Sequence, residues 1–156
     1  MKMKRPTGIV TYRVYRHGVL LRAERVPNLF VNAGLPALAA LLGGDYAGEF
    51  CSVIGVGSGT AAPTVADTGL TAPAYYKPLD GHSEDGLGSV TFNWSLTTGD
   101  TGADGINIGE LGLFANHTGI GVPGSTAPTP FIAHRAIAVI AFTTGMSISG
   151  TWTLTF

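Results

Sequence analysis

The chain has 156 residues, of which 45% are hydrophobic and only 12% are Asp, Glu, Lys or Arg. This composition excludes a disordered chain, because disordered segments are highly charged and poor in apolar residues, and the length fits a single domain. A small protein has trouble covering its surface with so few charges, so part of that surface is expected to be an interface with other copies or other proteins.

Charge is unevenly distributed along the chain. Residues 1–25 carry seven Lys and Arg residues against Glu24, a net charge of +6, whereas the remainder carries two basic residues against nine acidic ones, a net charge of −7. Such asymmetry favours docking between proteins. Arginines on a solvated strand face would also explain it, and a nucleic-acid partner is not expected.

The N-terminal residues are basic but lack the apolar stretch of a signal peptide. The longest apolar runs, such as residues 136–142, are too short to span a bilayer. We therefore expect a chain that is made in the cytoplasm and has no membrane partner.

A basic β-hairpin arm is predicted over residues 1–27. Residues 8–16 alternate between apolar and polar side chains as a strand does, and residues 17–18, His-Gly, suit a two-residue turn. Residues 19–25 return as a second strand, which residues 26–28 are expected to end. Three arginines of this arm are candidate interface residues: Arg13, Arg16 and Arg22.

Residues 28–156 are predicted to form the main domain. One helix is expected within residues 32–44, because Asn32 suits the N-cap position and the leucines that follow have helical spacing. A short apolar strand is expected over residues 51–56, followed by a long loop over residues 57–87.

Within that loop, Tyr75 and Tyr76 are candidate contact anchors, and residues 80–86 form a polar patch. Further strands are predicted over residues 89–97, 106–116, 131–143 and 146–156, with turns at 99–105 and 118–130. This pattern predicts a mainly-β fold, an antiparallel β-sandwich with one short helix in its N-terminal half and long loops.

Residues 55–70, GVGSGTAAPTVADTGL, are rich in glycine and suggest a phosphate-binding loop at first sight. A dinucleotide site needs a helix after the glycines, but Pro63 stands where that helix would run, and a Walker loop needs a lysine, which the segment lacks. We interpret the segment as a strand exit into a surface loop. Gly57 and Gly59 are expected to permit the bend, Asp67 and Thr68 to bond the loop's own backbone, and Leu70 to anchor it to the core.

Glu110 lies in an apolar stretch, INIGELGLF, where a carboxylate needs hydrogen bonds or an ion pair. We expect it to clamp the backbone N–H groups of a turn, because acid–base hydrolysis of glycosides needs a second carboxylate. Arg135, the only arginine of the C-terminal half, is the expected ionic partner.

The remaining reactive side chains do not form a recognisable site. The four histidines are not spaced as metal ligands, Cys51 is expected to be a small buried hydrophobe, and Asp100 with Asp104 is interpreted as a turn. No catalytic residue, metal, cofactor or small-molecule substrate is therefore expected.

Four stretches occur in a distinctive order: NLFVNAGLPALAALLGG, IGVGSGTAAPTVADTGL, GELGLF and SISGTWTLTF. This order resembles small structural proteins of tailed-bacteriophage virions, often labelled as tail or tail-fibre-related proteins, and the resemblance spans residues 28–156. The matching positions are Gly57, Gly59, Pro63, Asp67, Thr68, Leu70, Glu110, Gly112, Leu113, Phe114, Trp152 and Phe156. Arg135 departs from the pattern, because it lies in an unusually alanine-rich strand.

The resemblance implies a non-enzymatic virion protein that forms homo-oligomers and docks on other virion proteins. Its place would be in the tail, the baseplate or a fibre attachment, or on the capsid exterior. The alternative is a carbohydrate-binding module for host surface glycans that uses Tyr75, Tyr76 and the polar patch at residues 80–86.

Overall fold

The computed structural model describes residues 5–43, 50–115 and 129–156. Within these ranges the chain forms nine strands, one α-helix and a short 3-10 turn at Thr101–Ala103. The bounds are β1 Thr7–Arg16, β2 Val19–Phe30, α1 Gly34–Gly43, β3 Cys51–Gly57, β4 Pro73–Pro78, β5 Gly81–Glu84, β6 Ser89–Leu96, β7 Asn107–Ala115, β8 Phe131–Ala141 and β9 Met146–Thr155. The predicted mainly-β class is confirmed.

The strands form one antiparallel sheet in the order β4-β3-β7-β8-β2-β1-β9-β6-β5. This sheet curls into a half-barrel, so the predicted two-sheet sandwich is not confirmed. The long strand β2 joins the two halves of the sheet, because it pairs with β1 along Val19–Asn28 and with β8 at Leu29 and Phe30.

The concave inner face of the half-barrel holds the main core. β1 contributes Val10, Tyr12 and Val14, each at most 2% exposed, which confirms the predicted alternation of this strand. Trp94 of β6 and Trp152 of β9 belong to the same cluster, together with side chains from β3, β7 and β8. The two halves of the sheet therefore bury alternate residues in one core, and this burial stabilises the curl.

A second cluster lies on the outer face of the β3–β7–β8 half. It consists of Val31, Val53, Leu70, Tyr76, Phe114 and Phe131. The ring centroids of Phe114 and Phe131 are 4.7 Å apart, and Tyr76 meets Phe114 edge-on at 5.4 Å. Leu70 belongs to residues 59–72, which cover this half of the sheet from outside and are called the covering segment below. The inner and outer faces of β7 are both buried as a result.

The two strands of the predicted hairpin arm lie within this sheet. β1 pairs with β9 from Thr7, opposite Thr155, to Arg16, opposite Met146. β2 continues to Phe30, so the predicted end at residues 26–28 is wrong. Pro27 is tolerated within β2 because proline suits a strand edge that has no hydrogen-bonded partner. Among the described strands, β8 pairs with β2 only at Leu29 and Phe30, beyond Pro27.

Three other predictions from the sequence have the following outcomes. Residues 57–87 are not one loop, because they contain β4 and β5. The predicted helix within residues 32–44 corresponds to α1. The predicted turn at residues 118–130 lies outside the described residues, except for its last two.

In the ranges that the structure describes, no helix is long and apolar enough to cross a membrane.

Two leucines provide a matched test of the core. Leu113 in β7 is fully buried, whereas Leu87 is 89% exposed. We expect Leu113→Ala to lower the free energy of unfolding by about 3 kcal/mol, because the change reduces apolar burial and leaves a cavity. Leu87→Ala should change it by less than about 0.5 kcal/mol. Urea denaturation monitored by tryptophan fluorescence measures both, and equal effects would contradict the assigned core.

Candidate functional site

The carboxylate of Glu110 is the centre of a buried hydrogen-bond network on the outer face of β7. Its side chain is only 1% exposed. It accepts hydrogen bonds from three backbone N–H groups of the covering segment: Gly59 at 3.1 Å, Thr71 at 2.9 Å and Ala72 at 2.7 Å. The predicted clamp is therefore present, and it ties both ends of residues 59–72 to the sheet.

The partner of Glu110 is His134 on the neighbouring strand β8. The Nε2 atom of His134 lies 3.0 Å from Oε2 of Glu110, and its Nδ1 atom lies 2.7 Å from Oδ2 of Asp67. An ionised carboxylate only accepts hydrogen bonds, so an imidazole between two carboxylates must donate from both nitrogens and is the charged imidazolium.

The predicted pair between Glu110 and Arg135 is wrong, and strand alternation explains why. Glu110 lies opposite Ala136, and His134 lies opposite Gly112, so Glu110 and His134 occupy the same face at diagonal positions. Arg135 lies opposite Leu111 and faces the inner side, where its Nε atom is buried without a hydrogen-bond partner among the described residues. The sequence signal for His134 was its place in an apolar strand, where a histidine needs partners.

Three pKa shifts in this cluster reflect its geometry. Burial disfavours the charged form of every member, but the hydrogen bonds outweigh burial. The pKa of Glu110 is lowered by the bonds from His134, Ala72 and Thr71. The pKa of Asp67 is lowered by Thr64 and His134, and the pKa of His134 is raised by the two carboxylates. The cluster therefore holds one cation between two anions.

Gly57 and Gly59 are needed because their backbone lies very close to Ala72 and Glu110, and not because the chain bends there. Neither has a positive φ. A Cβ atom on Gly57 would lie 2.5 Å from the carbonyl oxygen of Ala72, and one on Gly59 would lie 2.5 Å from Oε1 of Glu110. A side chain at either residue would force these atoms apart, because a Cβ atom does not fit at that distance.

The other predicted loop residues are placed as follows. Asp67 accepts hydrogen bonds from the backbone N–H of Thr64 at 2.9 Å and from its hydroxyl at 2.6 Å, so it does bond its own loop. Thr68 is exposed. Leu70 is 8% exposed and packs in the outer cluster with Phe114, which confirms its predicted anchoring role.

Tyr75 and Tyr76 are not contact anchors in a loop, and that interpretation is wrong. Both lie in β4 and are 6% and 2% exposed. The hydroxyl of Tyr75 donates to Oδ1 of Asp100 at 3.2 Å, and Nζ of Lys77 lies 3.0 Å from Oδ2 of the same carboxylate. Asp100 also accepts from the backbone N–H of Thr97 at 2.7 Å, as the predicted turn role requires.

The second candidate feature is the hairpin tip, residues 16–22, which joins β1 to β2. Val19, Leu20 and Leu21 are 64%, 51% and 54% exposed, so three consecutive apolar side chains face solvent. The tip is held in place because the backbone N–H of His17 donates to the carbonyl oxygen of Gly145 at 2.9 Å.

The three predicted interface arginines lie at or near this tip. Arg13 and Arg16 are exposed, and Arg22 is half-buried. Arg22 donates to the carbonyl oxygen of Ala138 at 3.0 Å, and its Nε atom lies 3.7 Å from the carboxylate of Glu24. Arg16 and Arg22 therefore flank the exposed apolar residues with positive charge.

Two glycines of the covering segment test the clamp. Gly59→Ala would place a methyl group against the Glu110 carboxylate, so we expect it to lower the free energy of unfolding by about 2 kcal/mol. Gly69 has no described atom within 4 Å of its Cβ position and no positive φ, so Gly69→Ala should be neutral or slightly stabilising. Thermal unfolding of both variants distinguishes them, and equal effects would argue against the clamp.

The cluster also predicts how stability depends on pH. The folded pKa of His134 lies above 6.5, so its stabilisation is complete below pH 6.5 and disappears as pH rises through the folded pKa. The folded pKa values of Glu110 and Asp67 lie below 4.5 and 3.8, so their stabilisation is present above those values and disappears as pH falls through the folded ones.

The measurement is the free energy of unfolding from pH 3 to pH 9 for the wild type and for His134→Gln. We expect the difference between them to be largest between about pH 4.5 and 6.5, and to shrink on both sides. A difference that stays constant across this range would show that His134 is not charged in the folded protein.

Comparison with known proteins adds no assignment to this geometry. No protein-family model, no curated protein and no solved structure matches the chain.

Proposed function

We propose that this chain is a non-enzymatic structural protein of a bacteriophage virion, which self-associates and docks on neighbouring particle proteins through its hairpin tip. The observation that carries the proposal is the exposure of Val19, Leu20 and Leu21, each more than half accessible to solvent. Single exposed apolar residues are common, but three consecutive ones beside one hairpin turn are typical of an interaction site.

The charges around the tip support a docking role. Arg16 and Arg22 flank the apolar residues, and Arg13 lies on the same strand as Arg16. Arginine is favoured at protein interfaces because its guanidinium group forms several hydrogen bonds and is only weakly hydrated. An apolar centre with a basic rim fits an apolar site with an acidic rim.

The tip is also held rigidly, which reduces the entropic cost of docking. β1 and β2 lie in the middle of the sheet, and β1 is paired with β9 over its whole length. Deletion of residues 1–25 would therefore remove Val10, Tyr12 and Val14 from the core, so substitutions at the tip are better tests than truncation.

The buried polar side chains have structural roles that fit this proposal. Glu110, His134 and Asp67 hold residues 59–72 against the sheet. Asp100 links a turn to β4 through Lys77. Groups engaged in this way stabilise the scaffold that presents the tip.

The alternative of a carbohydrate-binding module is less well supported. Stacking on a sugar requires an exposed aromatic face, whereas Tyr75 and Tyr76 are buried. The other residues that this alternative would use, the polar patch at residues 80–86, are largely exposed to solvent.

The test is incorporation of a tip variant into virions. We expect Leu20→Asp combined with Leu21→Asp to reduce the amount of this protein in purified particles at least about tenfold, because charged groups replace the apolar contact. Quantitative mass spectrometry of particles assembled with wild-type or variant protein provides the measurement.

Val65→Asp is the matched control, because Val65 is 39% exposed but belongs to residues 59–72, away from the hairpin tip. The control should be incorporated like the wild type. Normal incorporation of the tip variant, with a normal unfolding temperature, would refute docking through the tip, and absence of the wild-type protein from particles would refute the virion role.

A further inference from the structure

An apolar pocket of about 170 Å³ lies at one end of the half-barrel, between α1 and the open ends of the strands. Its walls include Phe30, Phe92, Ile132 and Leu154, which belong to β2, β6, β8 and β9. A dry apolar cavity of about 150 Å³ is large enough to bind a benzene ring. The pocket is therefore of the right size and chemistry for one apolar side chain.

The rim of this pocket carries one carboxylate, that of Glu84. Glu84 of β5 lines it and is exposed. No hydrogen-bond or ion-pair partner occurs for the Glu84 side chain among the described residues. The pocket thus combines an apolar interior with one carboxylate at its rim, and the hairpin tip combines apolar residues with neighbouring arginines.

The tip and the pocket lie at opposite ends of the same sheet. At the tip, Arg16 is paired with Met146, and at the other end Leu154 of the same strand β9 lines the pocket. Eight residues of extended strand separate Met146 from Leu154, a distance of about 27 Å. The tip of one chain therefore cannot enter its own pocket, but it can enter that of another chain.

We propose that the hairpin tip of one copy inserts Leu20 or Leu21 into the apolar pocket of a second copy, with its arginines against Glu84. This inference rests on the proposed function, in which the tip is the docking element, and it names the partner as another copy of this chain. The contact joins two different surfaces, so it is heterologous and builds a ring or a filament.

The experiment mixes two variants of the purified full-length chain. Leu20→Asp with Leu21→Asp removes the tip residues and leaves the pocket intact. Val90→Phe fills the pocket from a half-buried wall position and leaves the tip intact. Sedimentation velocity over a concentration series then measures the mass of each variant and of their equimolar mixture.

The expected result is specific to a heterologous contact. The wild type forms oligomers that grow with concentration, and each variant alone is monomeric. The mixture forms a dimer, because one functional tip and one functional pocket remain and the chain cannot extend further. Removal of a leucine side chain from the tip should weaken association by about tenfold to 100-fold, since its apolar surface is no longer buried in the pocket.

A charge exchange tests the rim independently and avoids any change to the core. Arg16→Glu alone or Glu84→Arg alone should weaken association by about two- to fivefold at low salt. The variant with both substitutions should return to within about twofold of the wild type. Should Val90→Phe fail to fold, the charge exchange replaces the mixing experiment, since Glu84 is exposed and its substitution leaves the core unchanged. Failure of the double variant to recover association then overturns the inference.

Three results would overturn the inference: a wild type that stays monomeric, a tip variant that associates like the wild type, or a mixture of the two variants that remains monomeric. Failure of the proposed function is recognised separately. A protein that self-associates as expected but is absent from virions refutes the virion role alone. One that enters virions through its tip without self-association refutes this inference and the self-association part of the proposed function, and leaves the virion role standing.

Discussion

The buried carboxylate of Glu110 is the constraint on which the outer half of this structure depends. A charge that is only 1% exposed would destabilise the fold unless its acceptor sites were filled. Three backbone N–H groups and the imidazolium of His134 fill them, and Asp67 accepts the hydrogen bond from the second nitrogen of that ring. Because the three amides belong to residues 59–72, satisfying the charge also sets the path of that segment.

The path of this segment determines what the sheet can bury. With residues 59–72 bound to Glu110, Leu70 reaches the outer cluster and packs with Phe114 and Phe131. The half of the sheet around β7 is then buried on both faces, as in sheets that are covered on each side. The close approach of the segment explains why Gly59 stands beside the carboxylate, where a Cβ atom would not fit.

The other half of the sheet acts as a spacer between two surfaces. β1 and β9 run side by side for about 30 Å, with the exposed apolar tip at one end and the apolar pocket at the other. Opposite charges accompany the two surfaces, Arg16 and Arg22 at the tip and Glu84 at the pocket. Copies of the chain that bind each other through these two surfaces would repeat at a fixed spacing, which the length of β1 and β9 sets. Regular repetition of this kind suits a component of a particle.

Residue pattern alone is enough to predict the class of fold and the local elements with clear periodicity. The alternation of β1, the position of α1 and the clamping role of Glu110 follow from that pattern and from the cost of burying a charge. Which residues meet across strands depends instead on the folded sheet. His134 rather than Arg135 binds Glu110 because the strand register places them on one face, and register depends on long-range pairing. For the same reason Tyr75 and Tyr76, which look like loop residues in the sequence, are buried in β4, and the tip and the pocket stand at opposite ends of one sheet.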